Sequence, residues 1–135
     1  MMKATATRKD GRQHSIAIRE HQLTVDETPD LGGADAGPTP LELLAASLAG
    51  CVAVTIEMYA ERKDWNVGNV EVDVEYAPAE RGIPTKFEVV LKVPSEMTDE
   101  QIERLSVIAA KCPVHRMLDG EVMFDERVER TDLTS

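Results

Sequence analysis

Basic charge is what this chain is short of: 15 Lys and Arg stand against 25 Asp and Glu over 135 residues, a net charge of -10 with the histidines neutral. A surface of that sign repels phosphate backbones and anionic lipid headgroups, which excludes nucleic acid and membrane as partners. Cysteine is scarce as well, limited to Cys51 and Cys112. Two thiols do not make a disulfide framework, and in a reducing compartment such a pair serves packing or chemistry. The opening MMKATATRKDG is too polar for a secretory signal peptide, so a cytoplasmic location is expected. A phosphate-binding glycine loop is also missing, because Gly32-Gly33 and Gly37 precede a helix without the Lys-Ser/Thr that such a loop needs. No internal repeat or low-complexity tract interrupts the chain, and its length fits one domain over residues 1–135.

What the chain does have is one long apolar stretch, GPTPLELLAASLAGCVAVTIEMYAER over residues 37–62. From 43 to 56 nearly every residue is apolar or small, so a helix here is expected to be buried around most of its circumference, as a central helix. The run falls short of the roughly 20 apolar residues that cross a bilayer, and Glu42, Glu57, Glu61 and Arg62 bracket it. Thr39 suits the N-cap and Pro40 the first turn, where its missing N–H costs nothing; Glu42 sits near the positive end of the dipole. Cys51 then falls in mid-helix.

The flanking segments alternate in strand fashion. Ala4 and Ala6, Ile16 and Ile18, and Leu23 and Val25, separated by the Asp10-Gly11 turn and by 19–21, predict a three-stranded antiparallel meander. Residues 28–39 read as a loop. Val70, Val72, Val74 and Tyr76 alternate with acidic residues, and after the turn at 78–84 the pattern resumes at Phe87, Val89, Leu91 and Val93, which predicts a hairpin with one wet face. Thr98 and Gln101 form a capping-box pattern ahead of the helical spacing Ile102, Leu105, Ile108 and Cys112. Pro113 ends that helix and opens a short one over 113–119. Val122, Phe124 and Val128 suggest a last strand. The order βββ-α-ββ-α-α-β defines an α+β domain.

Two positions invite chemistry. Cys112, at a helix N-terminus ahead of Pro113, is placed where dipole and free N–H groups favour a thiolate, below the ordinary pKa of about 8.5. Cys51 gets nothing from the dipole of its own helix, so it is either a small core residue or a nucleophile served by a cation brought from elsewhere. Cys112-x-x-His115 has a metal-like spacing, with His14 and His21 as further candidates. Pro113 restricts that motif, and no second Cys/His pair completes a tetrahedral set.

Taken together, Leu31-Gly32-Gly33, Gly37-Pro38-Thr39-Pro40-Leu41-Glu42-Leu43-Leu44-Ala45-Ala46, Ala49-Gly50-Cys51 and Lys111-Cys112-Pro113-Val114-His115 resemble the OsmC/Ohr family, in order and over almost the whole chain. The resemblance implies antiparallel sheets around a buried central helix, and an intertwined homodimer with two sites at the subunit interface. It also implies reduction of organic hydroperoxides in oxidative-stress defence, with Cys51 attacking the peroxide, Cys112 resolving the sulfenic acid as a disulfide, a dithiol reductant closing the cycle, and no metal or other cofactor. The chain departs from the peroxidase pattern at the activating groups. Leu41 occupies the position of the family's glutamate, with Glu42 one residue on and about 100° round the helix. Lys9 precedes the turn that carries the family's arginine, with Arg8 and Arg12 as substitutes, and an ammonium lacks the two-pronged grip of a guanidinium on a carboxylate. Glu42, Lys9 and Arg8 therefore join Cys51 and Cys112 as candidate catalytic residues. The rival reading is a non-catalytic module that holds a hydrophobic small molecule in an interface cleft, its cysteines serving as packing.

Overall fold

The structure, a computed structural model, describes residues 1–132. Strands β1 (Thr5–Asp10), β2 (Gln13–Ile18) and β3 (His21–Val25) form the antiparallel meander. Its two tight turns need left-handed backbone: Gly11 takes φ 54 without a steric penalty, and Arg19 adopts the same value. The β1–β2 register shifts between Arg8 and Asp10, which leaves Lys9 in a bulge.

Residues 26–39 then cross to the central helix, organised by a group that the sequence patterns did not single out. Asp26 is 1% exposed, and its carboxylate accepts hydrogen bonds from the N–H groups of Glu27 (2.8 Å), Ala36 (3.0 Å) and Ala34 (3.2 Å). Its own N–H donates to the Pro38 carbonyl at 3.1 Å. The Ala36 and Glu27 N–H groups hold this carboxyl below its ordinary pKa despite the opposing effect of burial. The loop closes so tightly that a Cβ on Gly33 would lie 1.8 Å from the Glu27 carbonyl oxygen.

Helix α1 (Pro40–Lys63) starts in a reciprocal capping box between Thr39 and Glu42 and ends where Asp64 turns left-handed at φ 56. At 24 residues it is long and apolar enough to cross a membrane by length and composition. Instead, Leu48, Val52, Ile56, Tyr59 and Ala60 are buried in a core that lies among β4 (Glu71–Ala77), α2 (Asp99–Ala109) and α3 (Pro113–Leu118). These positions recur at helical spacing on one stripe, which corrects the expectation of burial around most of the circumference. Leu41, Val54 and Met58 remain more than half exposed, because one chain supplies partners on one side only. Leu105 and Ile108 of α2 complete the core, and burying each such side chain contributes about 1.5–3 kcal/mol.

Strand β4 pairs antiparallel with β5 (Lys86–Lys92) as the expected hairpin, with Val72 opposite Leu91, Val74 opposite Val89 and Tyr76 opposite Phe87. Along β4 the acidic residues are exposed and Val72, Val74 and Tyr76 half-buried. Thr98 and Gln101 form the expected capping box at the start of α2. The last expected strand, around Val122, Phe124 and Val128, is absent: residues 121–132 adopt neither helix nor strand. A strand needs a neighbour for its backbone groups, and this stretch has none within one chain, so Phe124 is 81% exposed.

Candidate active site: a paired-thiol cradle

Proline at position 113 sets the local geometry. The residue before a proline is steered to extended backbone, and Cys112 sits at φ -64, ψ 145, which makes it the N-cap of α3. Pro113 has no N–H, so the first free donors of α3 belong to Val114 and His115. Both are used on sulfur. The His115 N–H donates to Cys112 Sγ at 3.3 Å, and the Val114 N–H donates to Cys51 Sγ at 3.5 Å. Two consecutive amides thus hold two thiols drawn from separate helices, both of them free. The sequence carried a signal for this, since Pro at the first helical position leaves the next two amides available; what it did not show is that one of them reaches a residue on α1.

The two thiols differ in setting. Cys112 is fully buried, whereas Cys51 is half-buried. Burial pushes the Cys112 thiol above its ordinary pKa, the neighbouring Cys51 pushes it further, and the N–H of His115 only partly opposes them. This runs against the expectation that the start of α3 makes Cys112 acidic: desolvation outweighs the N–H groups of a six-residue helix.

The charged candidates lie elsewhere in the chain. The Glu42 carboxylate accepts from the Thr39 N–H at 2.8 Å, while the Glu42 N–H donates to Thr39 Oγ1 at 3.2 Å, so Glu42 is engaged at the start of its own helix. Arg8 Nε donates to the Gly11 carbonyl at 3.0 Å, and Lys9 is exposed in the β1 bulge. Arg12 Nε reaches the Leu31 carbonyl at 3.4 Å. Among the described residues, no hydrogen bond or ion pair joins Arg8, Lys9, Arg12 or Glu42 to either thiol. His14 and His21 belong to the β1–β3 sheet, apart from His115 on α3, and no group of three or more His, Cys, Asp and Glu is arranged to hold a metal ion among the described residues.

Two open, largely apolar cavities meet at His115 of α3, and neither thiol lines them. One, of about 290 Å³, is lined by Val52, Leu91, Ile102 and Leu105; the other, of about 540 Å³, by Leu41, Leu44, Leu48 and Phe87. Val89 and His115 line both, so they stand at the wall between them. Such walls receive a hydrocarbon group readily and a small polar solute poorly.

Fold and site together define an α+β protein with paired thiols spanning a central helix and a Cys-Pro helix start. Residues 32–127 match the family described as OsmC-like protein, and the chain belongs to that family. It is 29% identical over 126 residues to an uncharacterized protein of Acinetobacter baylyi, covering 91% of this chain and 87% of that one. Its fold is similar to that of an OsmC-like protein from Mycoplasma pneumoniae, with a TM-score of 0.75, 19% identity and coverage of 89% and 88%. It is also similar to an organic hydroperoxide resistance protein from Elizabethkingia anophelis, with a TM-score of 0.65, 26% identity and coverage of 89% of each chain.

Proposed function

We propose that this chain is a thiol peroxidase that reduces organic hydroperoxides in oxidative-stress defence, with Cys51 as the attacking and Cys112 as the resolving cysteine. The observation that carries the reading is the cradle, in which adjacent N–H groups of α3 hold the two sulfurs together. Cys51 takes the attacking role because it is the more accessible thiol. The Cys51 thiolate bonds to the terminal peroxide oxygen, the O–O bond breaks, and the alcohol leaves once protonated, with Cys51 now a sulfenic acid. The Cys112 sulfur then displaces water to form the disulfide, and a dithiol reductant returns both thiols. Apolar cavity walls beside α3 favour peroxides with an organic group over hydrogen peroxide, in keeping with structural neighbours that are organic hydroperoxide resistance proteins.

The same reading takes the chain as one domain that works as a homodimer in the cytoplasm, without metal or other cofactor. The uncovered apolar side of α1 and the exposed 121–132 stretch support the dimer, since monomeric proteins rarely leave such surface bare. A partner also offers a route for Lys9 or Arg8 to approach a thiol across the interface. The alternative, a module that holds a hydrophobic small molecule, draws support from the absence of a charged activator beside Cys51 within one chain. A thiol count before and after one equivalent of cumene hydroperoxide separates the two. Rapid loss of both thiols is expected; retention of both favours the binding module.

A further inference from the structure

Two turns beyond Cys51 on α1, about 12 Å along the helix axis, the chain gathers three cations on one aromatic ring. Tyr59 is 7% exposed, and the guanidinium carbons of Arg62 and Arg104 and the ammonium of Lys63 lie 5.9, 5.6 and 5.8 Å from its ring centroid. Among the described residues none of the three makes an ion pair, in a chain whose net charge is -10. Arg104 Nε donates to the Tyr59 hydroxyl at 3.0 Å, which ties α2 to α1, fixes the guanidinium and leaves its Nη groups as further donors. That hydrogen bond, with the charges of Arg104, Lys63 and Arg62, holds the Tyr59 hydroxyl below the ordinary phenol pKa against the opposing effect of burial. The field at this ring is therefore positive although the chain as a whole is acidic.

Beside the ring is an open cavity of about 640 Å³, lined by Tyr59, Lys63 and Trp65 at the end of α1 and by Glu100, Glu103 and Arg104 of α2. It shares no lining residue with the two cavities beside α3, and neither cysteine lines it. Trp65 stands edge-on to Tyr59, with centroids 5.6 Å apart and planes at 74°, so the two rings meet as a corner. We propose that this corner binds a small aromatic carboxylate, its ring against Trp65 and Tyr59 and its carboxylate held by Arg104 and Lys63. A planar guanidinium matches the two oxygens of a carboxylate, and an ammonium adds a point charge that can follow it. Glu100 and Glu103 share the cavity wall and make no ion pair among the described residues. Their charges restrict the ligand to a single negative group, because a second would meet their repulsion.

Trp65 is the one tryptophan of the chain, so its indole N–H gives a single cross-peak in an NMR titration of the whole protein. Benzoate at millimolar concentration is expected to move that peak saturably. Acetate, which has no ring, and benzyl alcohol, which has no charge, are expected to leave it in place at the same concentrations. Rising salt is expected to weaken the benzoate response. Arg104→Gln and Lys63→Gln, both at exposed positions, are expected to weaken benzoate binding by about 10-fold and about 3-fold. A peak that benzoate does not move, or that benzyl alcohol moves as far, overturns the proposal, and these wild-type arms decide it even where a variant fails to fold. Benzylamine binding in place of benzoate overturns it too, since the corner would then belong to its glutamates, as does an Arg104→Gln affinity equal to wild type. No thiol takes part in any of these readouts, so failure here leaves the peroxidase reading where it stands.

Discussion

The two sheets of this molecule live under different conditions. The β4–β5 hairpin lies on α1 and turns Val72 and Val74 toward a core shared with α2, whereas the β1–β3 meander is joined to the rest chiefly through the loop that Asp26 holds. Strand β1 is exposed along its whole length, and one side of α1 is apolar and uncovered. The contrast teaches that one chain brings its two thiols together while leaving one side of its central helix bare: the cradle is formed by α1 and α3, and the apolar side of α1 is uncovered. Lys9 and Arg8 lie on β1 in this open half, and among the described residues neither is bonded to a thiol.

The sharpest way to probe this difference is to disturb the closed half. Leu105→Ala empties a fully buried site, and a loss of about 2–5 kcal/mol in urea unfolding is expected. Ala in place of exposed Val107 on the same helix should stay within about 0.5 kcal/mol. Equal losses at the two positions would show that the core lies elsewhere.

Next in size is the open half. Val54→Asp places a charge on the uncovered side of α1, and sedimentation at micromolar concentration is expected to shift from dimer to monomer mass. An unchanged dimer mass would remove this side of α1 from the interface.

The connection between the halves gives a smaller and pH-dependent effect. The Asp26 carboxyl is held below its ordinary value in the folded protein by the Ala36 and Glu27 N–H groups. Its stabilisation is therefore present above the unfolded value of about 3.9 and lost as pH falls through the lower folded value. Asp26→Asn is expected to lower the unfolding midpoint at pH 7 and to flatten the decline below about pH 4. A variant whose acid limb matches wild type would show that these bonds add no net stability.

How much of this was legible in the sequence follows from the range of the interactions. Local rules carried far: the Thr39 N-cap, the Thr98 capping box, the Asp10-Gly11 turn and the Cys112-Pro113 break are set by near neighbours, and the structure shows all four. The misses are non-local. The last strand failed because pattern alone cannot supply a pairing edge, and burial of α1 was overstated because an apolar run does not say how many partners a single chain brings. Asp26 went unnoticed because an isolated acid in a polar stretch looks like solvated surface; only the fold brings three N–H groups to it. At the site, the sequence marked both cysteines but gave Cys112 the wrong electrostatic bias. Proximity to a helix start is visible in sequence, and the depth of burial that overrides it is not.

The least disruptive probe of the cradle is Cys112→Ser, which keeps the fold nearly isosteric. Oxidation is expected to stop at a dimedone-reactive Cys51 in place of a disulfide, and a variant in which Cys51 yields no dimedone adduct would contradict its attacking role.

The central claim is that adjacent amides of α3 hold Cys51 and Cys112 as a pair that an organic hydroperoxide converts to a disulfide within one chain. The direct measurement is non-reducing peptide mapping of reduced wild-type protein after one equivalent of cumene hydroperoxide, with hydrogen peroxide in parallel. The account predicts a linked Cys51–Cys112 peptide pair from a single chain, formed faster with the organic peroxide. Free thiols at both positions, or bridges only between chains, would contradict it.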